Sequence, residues 1–413
     1  MKKKRDIILL LILGTSVFIQ VILLFFPIFF NDFYRYLWDG KLIVNSLNPF
    51  SFTPITADLF HPEKMLTDVW YWKSLHFKQF HSVYGPGLQL IFGLGALIKQ
   101  DSVLVLKFLF FLFNIGSLGL GIKVLDLVGK NRRLIGWLAL NPLWLFETMV
   151  TVHTESVLIF FFMLTMYAYY KSKPVLGGVS FGFLVVTKYF PILLLPLFFM
   201  HSLKKTKGCM KKIGTLIFCT KKLFFVFLFL TVFILYLPFL VTSGNPIYLI
   251  TSLGLFSTDW VMSPGLFDLV WRPLRRFMDY DSSLRLTKII FLPIIFYFVY
   301  RIYFWYQKSE KLFDAIYYLF ILLIFSSSVI FSWYILWLVM LLPFVRYKLP
   351  GLILSFTIFS QYLIIYYDRM DNTHKYLENG LVGWNQLLIW TIPIFSLTYI
   401  ILRNKINNRL NDS

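Results

Sequence analysis

The first candidate for chemistry is a polar segment, Asn31–Gly40, that interrupts an otherwise apolar N-terminal region. Within it Asp32, Arg35 and Asp39 are spaced i, i+3 and i+7, which places them on one face if the segment is helical. A carboxylate with a neighbouring cation suits a general base that works beside an anionic substrate. An interfacial helix with an ordinary surface ion pair fits the same residues, so the spacing alone leaves both interpretations open.

A second polar group comes from the region between residues 147 and 188. Glu147 lies within an apolar run, where an unpaired carboxylate is costly, and His153 and Glu155 lie in a tight turn. Their spacing matches no metal-ligand pattern, so we predict a hydrogen-bonded lining rather than a metal site. Lys188 is predicted at an outer turn, where it either snorkels to lipid headgroups or holds a phosphate.

Further polar and aromatic residues are predicted to line the same site. They are Asn48, Tyr84, Trp260, Trp333 and Tyr334. The loop that holds Trp260 also interleaves tryptophan with arginine over residues 271–276, which fits either an anionic lipid headgroup or an ordinary interfacial belt. Neither a metal nor another cofactor is predicted.

These residues are carried by a strongly apolar chain. Apolar residues make up 58% of the 413 positions, charged residues make up 15%, and the mean hydropathy is +0.71. Runs such as 7–30 and 223–241 are long enough to span about 30 Å of hydrocarbon, so we predict an integral membrane protein. The first run is too long for a signal-peptide core and no small-residue cleavage site follows it, so it is predicted to be retained.

The net charge of +20 is explained by membrane topology rather than by nucleic-acid binding. Lysine and arginine mark the cytoplasmic loops of membrane proteins, so no nucleic-acid partner is predicted. Cys209 and Cys219 both fall in the most lysine-rich loop, 202–222, which we place inside the cell. Their spacing fits neither a zinc site nor a disulfide framework.

The predicted fold is all-α and polytopic, with about twelve transmembrane helices in a single domain over residues 1–413. The predicted crossings are at 7–30, 103–122, 134–150, 155–170, 174–187, 190–201, 223–241, 288–306, 312–330, 334–345, 350–367 and 384–402. The apolar run 85–98 is too short for an ordinary crossing, so we predict a re-entrant or interfacial helix on the outer side.

Both termini are then cytoplasmic, and the long loops 31–84 and 242–287 lie outside together with residues 368–383. A full crossing at 85–98 would place the basic run 130–133 outside, against the positive-inside rule. The lysine-rich cytoplasmic side fits a bacterial plasma membrane.

The order of these motifs resembles the GT-C superfamily of membrane glycosyltransferases. The run from Asp32 to Gly40, then Asn48-Pro-Phe50 and the turn Tyr84-Gly-Pro, is most similar to bacterial polyprenyl-phosphate-mannose-dependent mannosyltransferases. Later landmarks of that family fall in the same order, at Asn141, Glu147, His153, Lys188 and Ser332-Trp333-Tyr334. Two departures, Gly85 within the family's Y-P-P turn and His153-Thr-Glu-Ser in the later turn, leave the choice of acceptor open.

The resemblance implies a GT-C-like fold and an inverting transfer of a sugar from polyprenyl phosphate to an acceptor hydroxyl at the outer membrane face. In the most similar family that sugar is mannose. It implies Asp32 as the general base, with Arg35 and Lys188 stabilising the phosphate of the donor. The acceptor is a glycan, a lipid or a protein, and membrane lipids surround the chain. Most of the superfamily uses neither a nucleotide sugar nor an obligatory metal.

Two other classes of protein fit parts of the pattern. A secondary transporter would have six spans on either side of the loop 202–222, with Glu147 as a proton relay. The long polar segment after the first span, and the lack of paired broken helices in the two halves, argue against it. A flippase or polymerase of lipid-linked glycans shares the lipid-linked substrate and stays an alternative.

Overall fold

The computed structural model describes most of the chain, with gaps. The described residues are 6–28, 30–60, 66–204, 211–245, 247–249, 261, 264–309, 311–346, 349, 351–358 and five positions between 390 and 398. Trp260, the predicted outer stretch 368–383 and most of the predicted span 384–402 lie outside them. The loop 242–287 is described in part.

The described residues are mainly helical and contain no strand, which confirms the all-α prediction. The helices of the first two hundred residues are α1 Ile7–Leu24, α2 Asp32–Val44, α3 Pro54–Phe60, α4 Pro86–Ile98, α5 Val103–Leu127, α6 Gly136–Ala139, α7 Pro142–Met149, α8 Glu155–Tyr170, α9 Pro174–Thr187 and α10 Leu195–Lys204. They are followed by α11 Lys211–Thr242, α12 Leu266–Leu274, α13 Tyr280–Ser309, α14 Leu312–Ser326 and α15 Leu336–Val339, and residues 351–358 are also helical.

Four helices in the described part are long and apolar enough to cross a membrane. They are Ile7–Leu24, Val103–Leu127, Lys222–Thr242 and Tyr280–Ser309. The predicted number of about twelve crossings is therefore not confirmed. α4, α8, α9 and α14 are apolar but shorter. The predicted crossing at 134–150 is divided into a 3₁₀ turn, α6 and α7, because Pro142 follows Asn141 and begins a new helix.

The long helices present large apolar side chains outward. Phe18 on α1 is 66% exposed and Phe229 on α11 is 65% exposed. Phe296 on α13 is exposed to the same extent, 65%. Apolar surface of this kind on helices of spanning length is the surface that lipid covers, so the structure supports a membrane protein.

By its internal contacts the chain divides into two compact units. The first comprises residues 1–140 and 145–257, and the second comprises 141–144 and 258–413. In the first unit α2 packs on α4, while α5, α8, α9 and α11 pack in succession. In the second unit α13 packs between α12 and α14.

Several contacts within the first unit join residues that the predicted topology places on the same side of the membrane. Asp6 accepts a hydrogen bond from Arg133 at 3.1 Å, and both were assigned to the cytoplasmic side. Tyr71 in the predicted outer loop donates to Asp101 at 2.6 Å, just beyond the end of α4. The start of α4 also contacts that loop, since Gln89 donates to Asp39 at 2.9 Å. Both ends of α4 therefore touch the segment 31–84.

The C-terminal end of α1 is held by a lysine from a neighbouring apolar helix. Lys107 of α5 is fully buried and donates to the carbonyl oxygens of Leu23 at 2.7 Å and Phe26 at 2.8 Å. The last carbonyls of a helix lack partners within the helix and carry its negative dipole end, so a cation there satisfies both requirements. Only a short stretch then separates this fixed end from Asp32.

We expect Lys107→Met to destabilise the first unit, because it removes the charged donor of two part-buried hydrogen bonds. A hydrogen bond to a charged group contributes about 1.5–3 kcal/mol. The measurement is the unfolding midpoint of the purified protein in detergent, which should fall. Lys123→Met is the matched control, since Lys123 lies on the same helix with an exposed side chain. Equal midpoints for the two variants would contradict the capping role.

Candidate active site

Asp32 is the first residue of α2 and lies at the helix N-terminus, where the helix dipole favours a negative charge. Its side chain is half-buried. Burial raises the pKa of the Asp32 carboxyl, while the charges of His153 and Lys188 act to lower it and that of Glu155 acts to raise it. The structure thus gathers around Asp32 three residues that lie more than a hundred positions later in the sequence.

His153 reaches this site from the turn between α7 and α8. Its Nδ1 lies 3.0 Å from Oε2 of Glu147, and the hydroxyl of Thr151 lies 2.7 Å from each of these two atoms. Glu147, His153 and Thr151 are all buried. The ring of His153 also contacts that of Phe30, two residues before Asp32, at 5.2 Å between centroids.

Lys188 follows the end of α9 in an extended conformation and forms an ion pair with Glu155, the first residue of α8. Glu155 is fully buried, whereas the Lys188 side chain is 21% exposed. A buried carboxylate is tolerated when a cation pairs with it. Lys188 therefore carries its charge at the edge of the site, within electrostatic reach of Asp32.

Arg35 has other partners than the sequence suggested. It lies on α2, but its Nε donates to Asp39 at 2.7 Å and its Nη1 donates to the carbonyl of Phe80 at 2.9 Å. Asp32 is not among the contacts of Arg35 in the described residues. Arg35 therefore pairs with Asp39 at the i, i+4 spacing and not with Asp32 at the i, i+3 spacing. Side chains at either spacing can interact on a helix.

Asp39 is fully buried and receives hydrogen bonds from several elements. Besides Arg35, Ser82 donates to its Oδ2, and Gln89 of α4 donates to the same oxygen at 2.9 Å. Gln89 also bonds the hydroxyl of Ser82 at 2.7 Å and the carbonyl of Tyr84 at 3.2 Å. This network joins α2, the end of the loop and α4, so Asp39 supports the site rather than facing it.

Asn48, shortly after the end of α2, also holds the loop in place. It is buried, and its side-chain amide donates to the carbonyl of Phe239 at 2.8 Å and to the hydroxyl of Thr242 at 3.0 Å. Its carbonyl oxygen accepts from the backbone N–H of Phe50 at 2.9 Å. Asn48 therefore attaches the loop to the C-terminal end of α11.

Tyr84 lies close to the catalytic candidate. Its ring packs edge-on against that of Tyr36, at 4.9 Å between ring centroids. Burial raises the pKa of the Tyr84 hydroxyl, and the charge of Asp32 raises it further. Tyr84 therefore stays a neutral hydrogen-bonding group beside Asp32, as a lining residue should.

Glycines allow the backbones around the site to approach closely. A Cβ on Gly85 would lie 1.9 Å from the carbonyl oxygen of Val186, near the end of α9. A Cβ on Gly40 would lie 2.5 Å from the carbonyl oxygen of Phe92, where α2 crosses α4. The departure of Gly85 from the proline of the family turn thus has a physical reason, since any side chain would displace the turn from α9.

The remaining predicted lining residues lie in the second unit. Trp333 stacks on Phe331 at 4.3 Å, and Tyr334 stacks on Trp337 at 4.8 Å, so these aromatic residues form a cluster of their own. No group of three or more potential ligands for a metal ion is found within the described ranges. Sequence reasoning did not identify Ser82, Gln89 or Thr151, because single hydroxyl and amide groups carry no recognisable spacing.

The arrangement combines a half-buried carboxylate at Asp32, a partly exposed lysine at Lys188 and a buried histidine–carboxylate pair, His153 and Glu147. Residues 16–204, just under half of the chain, match the family model described as alpha-(1->6)-mannopyranosyltransferase, N-terminal domain. This match confirms the resemblance and supports a mannosyltransferase of the GT-C type. A search of curated proteins found no match to the chain. Asp32, Tyr84, Glu147, His153, Glu155 and Lys188 all fall within the matched residues.

We expect Gly85→Ala to destabilise the protein by about 1–3 kcal/mol, a typical cost of overpacking a buried contact. The added Cβ meets backbone, which cannot rotate away as a side chain can. Gly119→Ala is the control, since its Cβ would meet nothing within 4 Å. Unfolding midpoints in detergent compare the two. A Gly85→Ala midpoint equal to that of the wild type would refute the close approach.

Proposed function

We propose that the protein transfers mannose from a polyprenyl-phosphate donor to an acceptor hydroxyl at the outer face of the plasma membrane, with inversion at the anomeric carbon. The observation that carries this proposal is the placing of Asp32 beside Lys188 and His153 within the residues that match the mannosyltransferase family. Transfer of a mannosyl group requires a base for the acceptor and a cation for the leaving phosphate, and these residues supply both.

Asp32 serves as the general base. It takes the proton of the acceptor hydroxyl as the oxygen attacks the anomeric carbon from the face opposite the phosphate. The new carbon–oxygen bond forms, the bond from that carbon to the phosphate oxygen breaks, and the electron pair leaves with the polyprenyl phosphate. Burial raises the pKa of Asp32 above its ordinary value, which strengthens it as a proton acceptor.

Lys188 is the cation that the geometry favours for the donor phosphate. It is partly exposed and its charge acts on Asp32, so a donor that reaches Asp32 also reaches Lys188. Arg35 is held by Asp39 and by the carbonyl of Phe80, which favours a supporting role for it. Glu155 keeps Lys188 in place before the donor arrives.

The contacts at the two ends of the first unit support the outer placement of this site. Residues assigned to the cytoplasm, Asp6 and Arg133, pair with each other. The loop of the site is joined to Asp101, which follows the helix predicted on the outer side at 85–98, and to Thr242 of the predicted outer loop 242–287. A polyprenyl chain is itself a membrane lipid, so its phosphate would arrive at this interface. The acceptor is a glycan, a lipid or a protein, and no cofactor is required for this chemistry.

The central test is Asp32→Asn. General-base catalysis is worth about 10²–10⁴ in rate, and we expect a loss of that size in mannosyl transfer from radiolabelled polyprenyl-phosphate mannose. Asp68→Asn, an exposed aspartate of the same loop, is the control and should leave transfer intact. In the wild type kcat/KM should fall with decreasing pH through the pKa of Asp32, at a pH above the ordinary aspartate value of about 3.9.

Two results would overturn these assignments. Full turnover by the Asp32→Asn protein would remove Asp32 as the base. If the wild-type protein transfers sugar from no polyprenyl-phosphate donor, the enzyme proposal fails and a transporter or flippase of lipid-linked glycans takes its place.

Lys188→Ala should raise the KM for the donor by about tenfold, because a charge-assisted contact to the phosphate is lost. The KM for the acceptor should change little. Lys73→Ala is the control, since Lys73 is an exposed lysine of the predicted outer loop 31–84. Donor kinetics that are the same in Lys188→Ala and the wild type would exclude Lys188 from the phosphate site.

A further inference from the structure

The first unit has an open groove beside the start of α1, and none of its residues belongs to the site around Asp32. Its volume is about 340 Å³. The groove is formed by the 3₁₀ turn Arg132–Ile135, by α6 and by the residues that flank them. The lining residues are Asn131, Arg133, Leu134, Gly136, Trp137 and Leu140.

The two ends of this groove differ in chemistry. Arg133 and Trp137 are spaced i, i+4, and Leu140 follows at i+3 from Trp137, so the three share one face of the helical stretch. Trp137 is 46% exposed and Leu140 is 40% exposed, whereas Ile135 and Leu138 on the opposite face are buried. The groove therefore has a cationic and amide end at Arg133 and an apolar end at Leu140.

The polar end offers hydrogen-bond donors that the protein does not use. The Oδ1 atom of Asn131 accepts from the backbone N–H of Arg133 at 2.9 Å, which orients the amide. Nε of Arg133 donates to both carboxylate oxygens of Asp6 at 3.1 Å. Within the part of the chain that the structure describes, the two Nη groups of Arg133 and Nδ2 of Asn131 bond to no protein atom. Guanidinium and amide donors of this kind suit the oxygens of a phosphate.

The start of α1 shows the level of the membrane at which the groove lies. α1 is long and apolar enough to cross a bilayer, and it begins at Ile7, directly after Asp6. Ile7 is 68% exposed and Leu11 is 64% exposed, so lipid chains cover the helix from its first turn. Asp6 and its partner Arg133 then lie where headgroups meet hydrocarbon, a level at which tryptophan is also enriched.

The same helix closes one side of the groove. A Cβ on Gly136 would lie 3.4 Å from the side chain of Ile12 on α1. Glycine therefore leaves room in the groove where a longer side chain would fill it. The apolar end follows α1 into the hydrocarbon, as an acyl chain does.

The charges at the polar end favour an anion with a single negative charge. Arg132 binds Asp126 through two of its nitrogens, and Arg133 binds Asp6. Together with Lys130 these are three cations against two carboxylates, which leaves one positive charge over the described residues. The phosphodiester of an anionic glycerophospholipid carries one negative charge, and basic pockets beside membrane helices attract such headgroups.

We propose that this groove binds one anionic glycerophospholipid, with its phosphodiester on Arg133 and Asn131 and one acyl chain along Trp137 and Leu140. A small anion would use the polar end alone and leave the apolar end uncovered. A zwitterionic lipid would bring a cation of its own toward Arg133. The proposal concerns lipid binding and does not depend on the transfer reaction.

The test is photolabelling of the purified full-length protein in detergent with a phosphatidylglycerol that carries a diazirine in its acyl chain. Mass spectrometry should find label within residues 134–140. Dioleoyl-phosphatidylglycerol should compete at about tenfold lower concentration than dioleoyl-phosphatidylcholine, because the two have the same chains and differ in charge. Glycerol 3-phosphate carries a phosphate without a chain, and it should not compete.

Two substitutions should change this tenfold preference in opposite directions. Arg133→Gln removes the cation and should abolish it. Asp6→Asn removes the carboxylate that neutralises Arg133 and should increase it. Asparagine still accepts the N-terminal hydrogen bond of α1 that Asp6 accepts from Leu9, so the helix cap is kept. Arg301→Gln is the matched control, since Arg301 is an exposed arginine that bonds the aromatic residue one turn before it, Tyr297, at 2.7 Å.

Four outcomes would overturn the proposal. They are an absence of label from residues 134–140, equal competition by the two lipids, competition by glycerol 3-phosphate at the same concentration as by the anionic lipid, and a weaker preference in Asp6→Asn as well as in Arg133→Gln. The last result would mean that the Asp6–Arg133 pair holds the fold and not a ligand. Since Asp6→Asn keeps the helix cap, its increase or decrease decides the matter even where Arg133→Gln does not fold.

Discussion

The buried carboxylate of Asp39 is the interaction on which the site depends. A charge removed from water costs several kcal/mol unless hydrogen-bond donors surround it. Its donors are Arg35 on the same helix, Ser82 at the end of the outer loop and Gln89 on α4. These three elements must therefore stay together. Their association holds the turn at Gly85 against the end of α9, and that end carries Lys188.

One short helix thus has two aspartates with opposite tasks. Asp39 is fully buried and accepts hydrogen bonds from Arg35, Ser82 and Gln89. Asp32, two turns earlier, is half-buried and faces charged groups rather than a complete set of donors. A proton acceptor must be able to change its charge during each turnover, and a carboxylate that is fully hydrogen-bonded resists that change. The contrast of environments on α2 distinguishes the supporting residue from the reactive one.

Many helix bounds were predictable from the sequence, because they follow from the lengths of the apolar runs and from the polar residues and prolines that interrupt them. The predicted segments 155–170 and 174–187 have the bounds of α8 and α9, and the short run 85–98 is α4 with its first residue removed. The stretch 134–150, which was expected to be one continuous segment, is divided because the Asn141-Pro142 break separates two short helices. The family was also predictable, because the order of several motifs carries more information than any one of them.

The pairing of the charges was not predictable in the same way. Asp32 and Asp39 both lie at helical spacings from which they could pair with Arg35. Arg35 pairs with Asp39 and also binds the carbonyl of Phe80, a residue of the loop whose position the sequence does not reveal. Asn48 was expected at the site but holds the end of α11, because a single asparagine does not reveal which carbonyl it will satisfy. The convergence of His153 and Lys188 on Asp32 depends on how α7, α8 and α9 pack, which no local pattern contains.

The contact of Lys107 with the end of α1 has a consequence for how the enzyme responds to its bilayer. A helix end that is free to slide follows the headgroups when the membrane thickens or thins. Here the carbonyls of Leu23 and Phe26 are bound to a lysine of the neighbouring helix, so the end of α1 keeps its depth relative to α5. Asp32, a few residues beyond, keeps that depth too. The depth of Asp32 relative to α5 is therefore set by the protein, and lipids of different chain length would have to adjust to it.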